Sequence, residues 1–563
     1  MSQNSALVAR LREIRQIGER NLQEGMVNHM RWYEKNRELY LKEKRILQSY
    51  GYEIYIKDGT MECEGVSSVN SKYPIKIIYS DGFPSFPPTV KCEVSEDLIL
   101  VRHQNKLTKS LCLFGFASER WKASYSAIEL IEEIEELILR YSPETHDAEE
   151  TVEDIVPEPL INQYDYRMGG ILIPKPFGDL ILDNFYDRNN CTVRYDKHRG
   201  IMDKVWVDEK IFLREKNYDE WFNNKPTFNA QIFKVTEQPP FTTEKIFEWL
   251  TNMRIQIKNK KKHFLFFVFE DDWGFVGNKR ISWVALKIID DKAEWVRCYI
   301  INDDDSLIRT PYGKDLAHKE VTLVGVGSLG SLVATSIAQE GVRKITLIDY
   351  DIFEPANSIR HQGEQHMFSY PKVDVVKERI LSLMPTTHVN VEYIGIGGHR
   401  STEQLTKLNQ ILNRSDLIIE TTGSHKVSHY LNRYCLSENI PLIIGSVTNG
   451  AWSCEVVRII PGDTGCWGCW NINYGTEIPP SAPVSEIQFA PGCDQPTFIG
   501  GISSVNIASG LIVQASIDTL LNIDTKDTQY IRWSERDSKG NRHYNIDYLG
   551  NPKSRDCEAC NGY

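Results

Sequence analysis

Residues 5 to 48, rich in Arg, Glu and Leu, predict two helices. The next segments, GYEIYIK and TMECEGV, read as strands of a hairpin with Asp58-Gly59 supplying the turn. KYPIKIIY and TVKCEV supply a third and a fourth strand, separated by the proline-dense run Phe83-Pro84-Ser85-Phe86-Pro87-Pro88. After Cys112 the apolar positions of SAIELIEEIEELILRY fall on one face of a helix. THDAEETVEDIVPEP then carries six acids, no bases and two prolines, the composition of a linker. Between about 160 and 305 the strand candidates are aromatic, as in HFLFFVF and SWVALKII. From residue 320 strand and helix alternate: VTLVGV, a helix from Ser328, KITLIDYD, and later DLIIE and PLIIGSV. That alternation predicts an α/β, doubly wound, Rossmann-like parallel sheet behind an α+β N-terminal domain. The expected boundaries are 1–145, 146–305 and 306–563.

Composition narrows the classes. At 563 residues the chain needs several cores, and 41% hydrophobic with 25% charged residues is ordinary globular material. No apolar run approaches the roughly 18 residues of a membrane span, and the N-terminus has no signal-peptide core, so no membrane partner and a cytoplasmic location are expected. A net charge of −12 excludes a general nucleic-acid binder, and the basic run from Lys258 to Lys262 reads as a solvated helix end or turn. Twelve cysteines in such a chain point to thiols, metal ligands or nucleophiles rather than a disulfide frame.

Gly325-Val326-Gly327-Ser328-Leu329-Gly330 is a GxGxxG at a strand-to-helix turn, where glycines allow close backbone approach and helix amides face phosphate. Asp349 lies about 20 residues on, at the tip of the next strand, the position that reads ribose hydroxyls. Those features alone suit a dinucleotide oxidoreductase. The segments DYDIFEPANSIRHQ and YPKVDVVKERI, however, resemble the ThiF/MoeB and ubiquitin-activating family, with its acidic strand end, Asn-x-x-Arg and Pro-Lys. The resemblance implies ATP, with Asp349 on the ribose, Asn357 and Arg360 on the phosphates and Lys372 neutralising them as pyrophosphate leaves. The family also holds Mg2+ on an aspartate after the fourth strand. Here that stretch reads Glu420-Thr421-Thr422-Gly423, with Glu420 the nearest acid.

Cys466-x-x-Cys469 and Cys557-x-x-Cys560 form two knuckles suited to one structural Zn2+, and the same pairing occurs in that family. Cys493 stands apart in Ala490-Pro491-Gly492-Cys493-Asp494, ahead of a helix that starts at Gly500-Gly501. In activating enzymes a cysteine in the loop before such a helix is the thioester nucleophile. Cys63, Cys92, Cys191, Cys298, Cys435 and Cys454 lack a partner pattern and read as core thiols.

Arg102-His103-Gln104-Asn105, the spacer KLTKS and Leu111-Cys112-Leu113 resemble the active-site loop of ubiquitin-conjugating enzymes. FPSFPP and Trp121 fit that family too, and the resemblance covers residues 20 to 141. It implies Cys112 as a thioester carrier and Asn105 as oxyanion donor, with His103 structural. Gln104 replaces the family's proline, and the spacer from Asn105 to Cys112 is one residue longer than usual.

A conjugating-like domain, a linker domain and an activating domain in that order resemble the bacterial fusion enzymes of CBASS antiphage operons. That resemblance implies a homodimeric ligase-transferase that adenylates the C-terminus of a cGAS-like nucleotidyltransferase and conjugates it to target proteins, priming antiviral defence. Two other readings stand beside it. One is the same chemistry on a separate ubiquitin-like or sulfur-carrier protein; the other is a non-catalytic scaffold, against which intact Cys112 and Cys493 count.

Overall fold

The computed structural model describes residues 31–114, 120–145, 160–166, 169–174, 189–196, 199–207, 210–213, 224–255, 262–272, 279–290, 292–301, 304–398, 401–483, 488–489, 496–523 and 528–561. The chain divides into two compact units, residues 1–301 and 302–563.

The first unit starts with helices α1 (Trp32–Lys35) and α2 (Arg37–Ser49), followed by strands β1 (Glu53–Lys57), β2 (Thr60–Val66), β3 (Pro74–Tyr79) and β4 (Thr89–Cys92). The strands form an antiparallel meander in sequence order. Asp58 and Gly59 both take positive φ, 50° and 76°, the twist a two-residue hairpin turn requires. Helix α3 (Ala127–Tyr141) opens on a capping box of Ser126 and Glu129 and buries Leu130, Ile131, Ile134, Leu137 and Ile138. A small core forms around Trp32, Tyr79, Phe83, Phe114 and Trp121. Within it Glu43 is fully buried, its carboxylate accepting from Tyr79 Oη and the Ala127 amide, each at 2.9 Å, and burial raises its pKa. The part of the first predicted helix before residue 31 lies outside the described residues.

The remainder of this unit is a second sheet. Its strands are β5 (Gly170–Pro174), β6 (Asn189–Tyr195), β7 (Arg199–Val207), β8 (Lys210–Leu213), β9 (Thr227–Lys234), β10 (Lys262–Asp272), β11 (Lys279–Ile289) and β12 (Lys292–Ile301). Their order is β5-β12-β11-β10-β9-β6-β7-β8, and β5 also pairs with β7, which closes the sheet on itself. Strand β10 is buried on both faces. Phe264, Phe266 and Val268 pack against Ile171, Val193 and Trp283; Leu265, Phe267 and Phe269 pack against helix α4 (Ile246–Asn252) through Ile246, Trp249 and Leu250. That double burial is why HFLFFVF reads as an uninterrupted apolar run.

The second unit carries a mixed sheet with helices on both faces. Strands β13 (Glu320–Val324), β14 (Lys344–Ile348), β15 (His388–Glu392), β16 (Leu417–Glu420) and β17 (Leu442–Val447) are parallel neighbours, in the order β15-β14-β13-β16-β17. Between them run α5 (Ser328–Gln339), α6 (Lys372–Leu383), α7 (Thr402–Asn413) and α8 (His425–Glu438). The sheet departs from the parallel expectation beyond β17. There β18 (Ser453–Ile459) adds antiparallel, and after α9 (Trp467–Tyr474), the short pair β19 (Gln488–Phe489) and β20 (Pro496–Thr497), and α10 (Ile502–Leu520), strands β21 (Tyr530–Arg536) and β22 (Arg542–Leu549) continue antiparallel. Alternate residues serve two cores. Val321, Leu323, Ile345 and Leu347 face α5, α6 and α10, while Val324, Ile348, Ile418 and Ile444 face α7, α8 and α9. Strand order reverses between β13 and β16, the switch point at which open α/β sheets form a ligand crevice outside the carboxyl ends of the strands. No helix among the described residues is long and apolar enough to cross a membrane.

Candidate functional site

The glycine turn leaves β13 at the switch point, and its glycines have separate duties. Gly325 takes φ +86°, and its N–H donates to the Ile348 carbonyl at 2.8 Å. A Cβ on Gly330 would stand 1.9 Å from the Gly325 carbonyl oxygen and 2.6 Å from Thr421 Oγ1, so α5 can pack this close only with glycine there. A Cβ on Gly327 would meet nothing within 4 Å, which leaves the helix N-terminus open to a ligand.

Asp349, just past β14, closes the turn: its Oδ2 accepts from the Val326 amide at 2.8 Å and its Oδ1 from the Asp351 amide at 3.0 Å. Each carboxylate oxygen has a second lone pair, so this cap can still receive ribose hydroxyls. Cap and ribose reader are therefore compatible roles for one side chain. The 3-10 turn Pro355–Ile359 is capped through Asn357, whose Oδ1 accepts from the Glu354 amide at 3.1 Å. It delivers Arg360 to the glycine turn, Nε donating to Ser328 Oγ at 2.9 Å. The same guanidinium donates to the Phe498 carbonyl and lies 4.9 Å from the centre of the Phe498 ring. His361 comes next, buried, with its imidazole on the Val326 carbonyl at 2.9 Å. Lys372, the first residue of α6, pairs with the exposed Asp351. Gly325, Gly327, Gly330, Asp349, Arg360 and Ser328 thus converge on one crevice, with the Asn357 turn and the Lys372–Asp351 pair on adjoining segments of the same strand end.

Glu420, the nearest acid after the fourth strand, is turned inward. It is 1% exposed, and its oxygens accept from the Thr422 amide at 2.7 Å, Thr422 Oγ1 at 2.5 Å and Ser428 Oγ at 2.7 Å. Burial raises its pKa. A carboxylate at the end of β16 that is tied inward by Thr422 and Ser428 does not fit a magnesium ligand. The acids beside the glycine turn are Asp349 and Asp351.

Cys466 caps α9 and Cys469 lies within it, while Cys557 precedes the short helix Glu558–Asn561 and Cys560 lies within it. The four sulfurs all lie within 4.8 Å of one another, with Cys466–Cys557 at 3.5 Å and Cys469–Cys560 at 3.4 Å, and none is in a disulfide. Tetrahedral zinc with Zn–S of about 2.3 Å would space sulfurs by about 3.8 Å, so the set fits that ion with a slight adjustment. Its surroundings are built for it. The Ser554 amide donates to Cys469 Sγ at 3.3 Å, and buried Asn551 donates to the Gly465 carbonyl at 2.8 Å, fixing the approach to Cys466. A Cβ on Gly468 would lie 2.9 Å from Cys557 Sγ.

In the first unit Cys112 is half-buried on a loop that folds back on itself. The Cys112 amide donates to the His103 carbonyl at 2.7 Å, Gln104 bridges Leu111, and the Asn105 amide donates to the Ser110 carbonyl at 2.9 Å. Gln104, where the resemblance has proline, is buried: its amide donates to the Cys92 carbonyl at 2.6 Å and its carbonyl accepts from Leu100 at 2.9 Å. Those two bonds anchor the loop by a different device. The longer spacer closes as a turn with Lys109 at φ +59°. Asn105 Oδ1 caps that turn, accepting from Leu107 at 3.0 Å and Thr108 at 2.8 Å, so the group it can offer an oxyanion is its amide Nδ2. His103 takes φ +62° and packs its ring 4.7 Å from that of Tyr141, a structural position. Cys63, Cys92 and Cys435 are buried with thiols pushed up to about 12, and burial raises Cys191 and Cys454 as well, so these are inert core thiols; Cys298 is half-buried on β12. Cys493 lies outside the described residues; the Gly501 cap and α10 beyond it are described.

Ser328, His361, Thr421 and Phe498 belong to the crevice and were not singled out by sequence. Only their proximity to Gly327, Arg360, Glu420 and Gly500 could have drawn attention to them.

The ThiF family model matches residues 305–555. An uncharacterized protein of Sinorhizobium fredii is 24% identical over 547 residues, covering 87% of this chain and 90% of its own length. Ubiquitin-like modifier-activating enzyme 5 of Caenorhabditis elegans is 25% identical over 232 residues, 39% of this chain and 51% of that protein. The chain thus spans about half the length of this curated relative. Among solved structures, E. coli MccB with ATP aligns at 20% identity over 44% of this chain and 68% of that chain, with a TM-score of 0.34.

Proposed function

We propose that the chain, with a ThiF-type adenylation domain over residues 305–555, activates the C-terminus of a protein with ATP and conjugates it through two cysteines. The observation that carries the reading is the crevice at the β13–β16 switch point, where an open glycine turn, a strand-end aspartate and a buried arginine meet. ATP lies with its ribose on Asp349 and its phosphates over the Gly327 turn. Arg360, Asn357 and Lys372 receive the phosphates, Lys372 exchanging Asp351 for them. The substrate carboxylate oxygen attacks the α-phosphorus, the bond to the β-phosphate oxygen breaks, and pyrophosphate leaves with charge that Arg360 and Lys372 stabilise. Magnesium bound with ATP would supply further charge neutralisation, with Asp349 and Asp351 the acids beside the turn.

The Cys493 thiolate then attacks the acyl carbon of the adenylate, forming a thioester and releasing AMP. Transthiolation comes next: the Cys112 thiolate attacks the same carbon and Cys493 departs as thiolate. Asn105 Nδ2 donates to the oxyanion of the tetrahedral intermediate when the neutral amine of a target lysine attacks, giving an isopeptide, the Cys112 thiolate and a proton released to solvent. The ubiquitin-conjugating-like reading of 1–145 is supported by the order of helix, meander, cysteine loop and helix. The zinc site formed by Cys466, Cys469, Cys557 and Cys560 is structural, since four thiolates leave no open position. The resemblance of the whole chain to CBASS fusion enzymes supports a homodimer in the cytoplasm whose substrate is the C-terminus of a cGAS-like nucleotidyltransferase.

The nucleotide assignment separates this reading from an oxidoreductase. Thermal-shift titration of the purified chain should show stabilisation by ATP with magnesium and none by NAD, because a ligand that binds only the folded state raises its midpoint. Stabilisation by NAD with no response to ATP would return the dinucleotide reading.

A further inference from the structure

The peptide at the centre of the glycine turn is held at both of its polar ends. Val326 donates its N–H to Asp349 Oδ2 at 2.8 Å, and its carbonyl lies 2.9 Å from His361 Nε2. The second imidazole nitrogen, Nδ1, lies 3.2 Å from the Gly363 amide, a donor. Nδ1 must therefore accept, the ring proton resides on Nε2, and Nε2 donates to Val326: the two bonds define one neutral tautomer. The ring is 6% exposed and packs 4.8 Å from that of Phe353, which fixes its plane. Burial pushes its pKa down to about 4, so it stays uncharged at neutral pH and offers no charge to a phosphate. Arg360 precedes it, gripping Ser328 at the start of α5. One short turn therefore sends two consecutive side chains onto the same loop.

Two of the three loop glycines are required by close approach or by φ, and none contributes a side chain that could hold the loop in shape. Its shape then depends on polar ties such as those at Val326. We infer that His361 is a positioning residue for the nucleotide, acting through the Val326 carbonyl to keep the turn amides aimed at the phosphates. The inference rests on the ATP reading of this crevice.

Three variants of the full chain separate this role from plain packing, with ATP and magnesium as the probe. His361→Gln carries an amide N–H at the reach of imidazole Nε2 and can remake the bond to Val326. His361→Asn keeps a polar group near Nδ1 but cannot reach Val326, and His361→Phe keeps only the ring packing. The Gln variant should bind ATP within about twofold of wild type, whereas Asn and Phe should each lose about tenfold, the equivalent of one hydrogen bond of roughly 1.4 kcal/mol. Thermal midpoints without nucleotide should stay together for Gln and Asn, so the affinity difference between those two is the deciding readout even if the Phe variant does not fold. Equal affinities for Gln and Asn, whether both normal or both weak, would overturn the inference. Absence of ATP binding by the wild-type chain would instead sink the ATP reading, and the role of His361 with it.

Discussion

Arg360 illustrates what a residue pattern can and cannot disclose. Its place in Asn-x-x-Arg marked it as a phosphate ligand; its grip on Ser328 and its stacking on Phe498 became visible only in the fold. Replacing Arg360 or Lys372 with alanine should slow ATP–pyrophosphate exchange with the cognate substrate by about 100-fold, on the order of a few kcal/mol in the barrier, because positive charge is lost where pyrophosphate departs. Exchange at the wild-type rate in both variants would remove these side chains from the chemistry. Glycines with φ or packing demands, and an aspartate at a strand tip, are legible because the backbone dictates them. His361 and Glu420 were not legible in this way. A histidine that serves one carbonyl has no spacing signature, and a glutamate at a strand end gives no warning that Thr422 and Ser428 will satisfy it from within.

Among elements, those that bury a strict periodicity were readable. The parallel strands β13, β14, β16 and β17 announce themselves by apolar runs, and α3 by its single apolar face. Strands β18, β21 and β22 were not, because antiparallel additions at the side of a sheet carry partly polar sequences: β22 alternates exposed and half-buried residues along Arg542–Leu549. Closure of the middle sheet through β5 and β7 leaves no local signal either, since it joins residues 170–172 to 199–201. The four-cysteine cluster proposed to hold zinc is the element whose loss should be felt most. It ties α9 to the last helix, and Trp467 stacks on Trp470 at 4.4 Å directly behind it. With zinc at this cluster, Cys557→Ser should lower folding yield and metal content, while the soluble fraction keeps its affinity for ATP, since a structural metal contributes folding energy. Metal analysis checks this directly: a metal-free wild-type chain with a stable, active Cys557→Ser variant would contradict a structural zinc.

For the whole molecule the claim is one of sequence in time. The adenylation crevice and Cys493 belong to residues 302–563, while Cys112 belongs to residues 1–301, ahead of the acidic linker and the middle sheet. The ThiF-type match covers residues 305–555, and the N-terminal meander and the mixed sheet of the second unit have separate cores, so each carries its own motif. The transfer should run from adenylate to Cys493 to Cys112, with no direct loading of Cys112 from the adenylate, because Cys493 belongs to the same stretch of chain as the nucleotide turn and Cys112 does not. The most direct test is a non-reducing gel of the cognate substrate with ATP and two variants. Cys112→Ala should accumulate a thioester at Cys493, cleaved by added thiol, and yield no conjugate. Cys493→Ala should still form the adenylate, seen as pyrophosphate exchange, yet load neither thiol. Loading of Cys112 at the wild-type rate in the Cys493→Ala variant would contradict the two-cysteine relay.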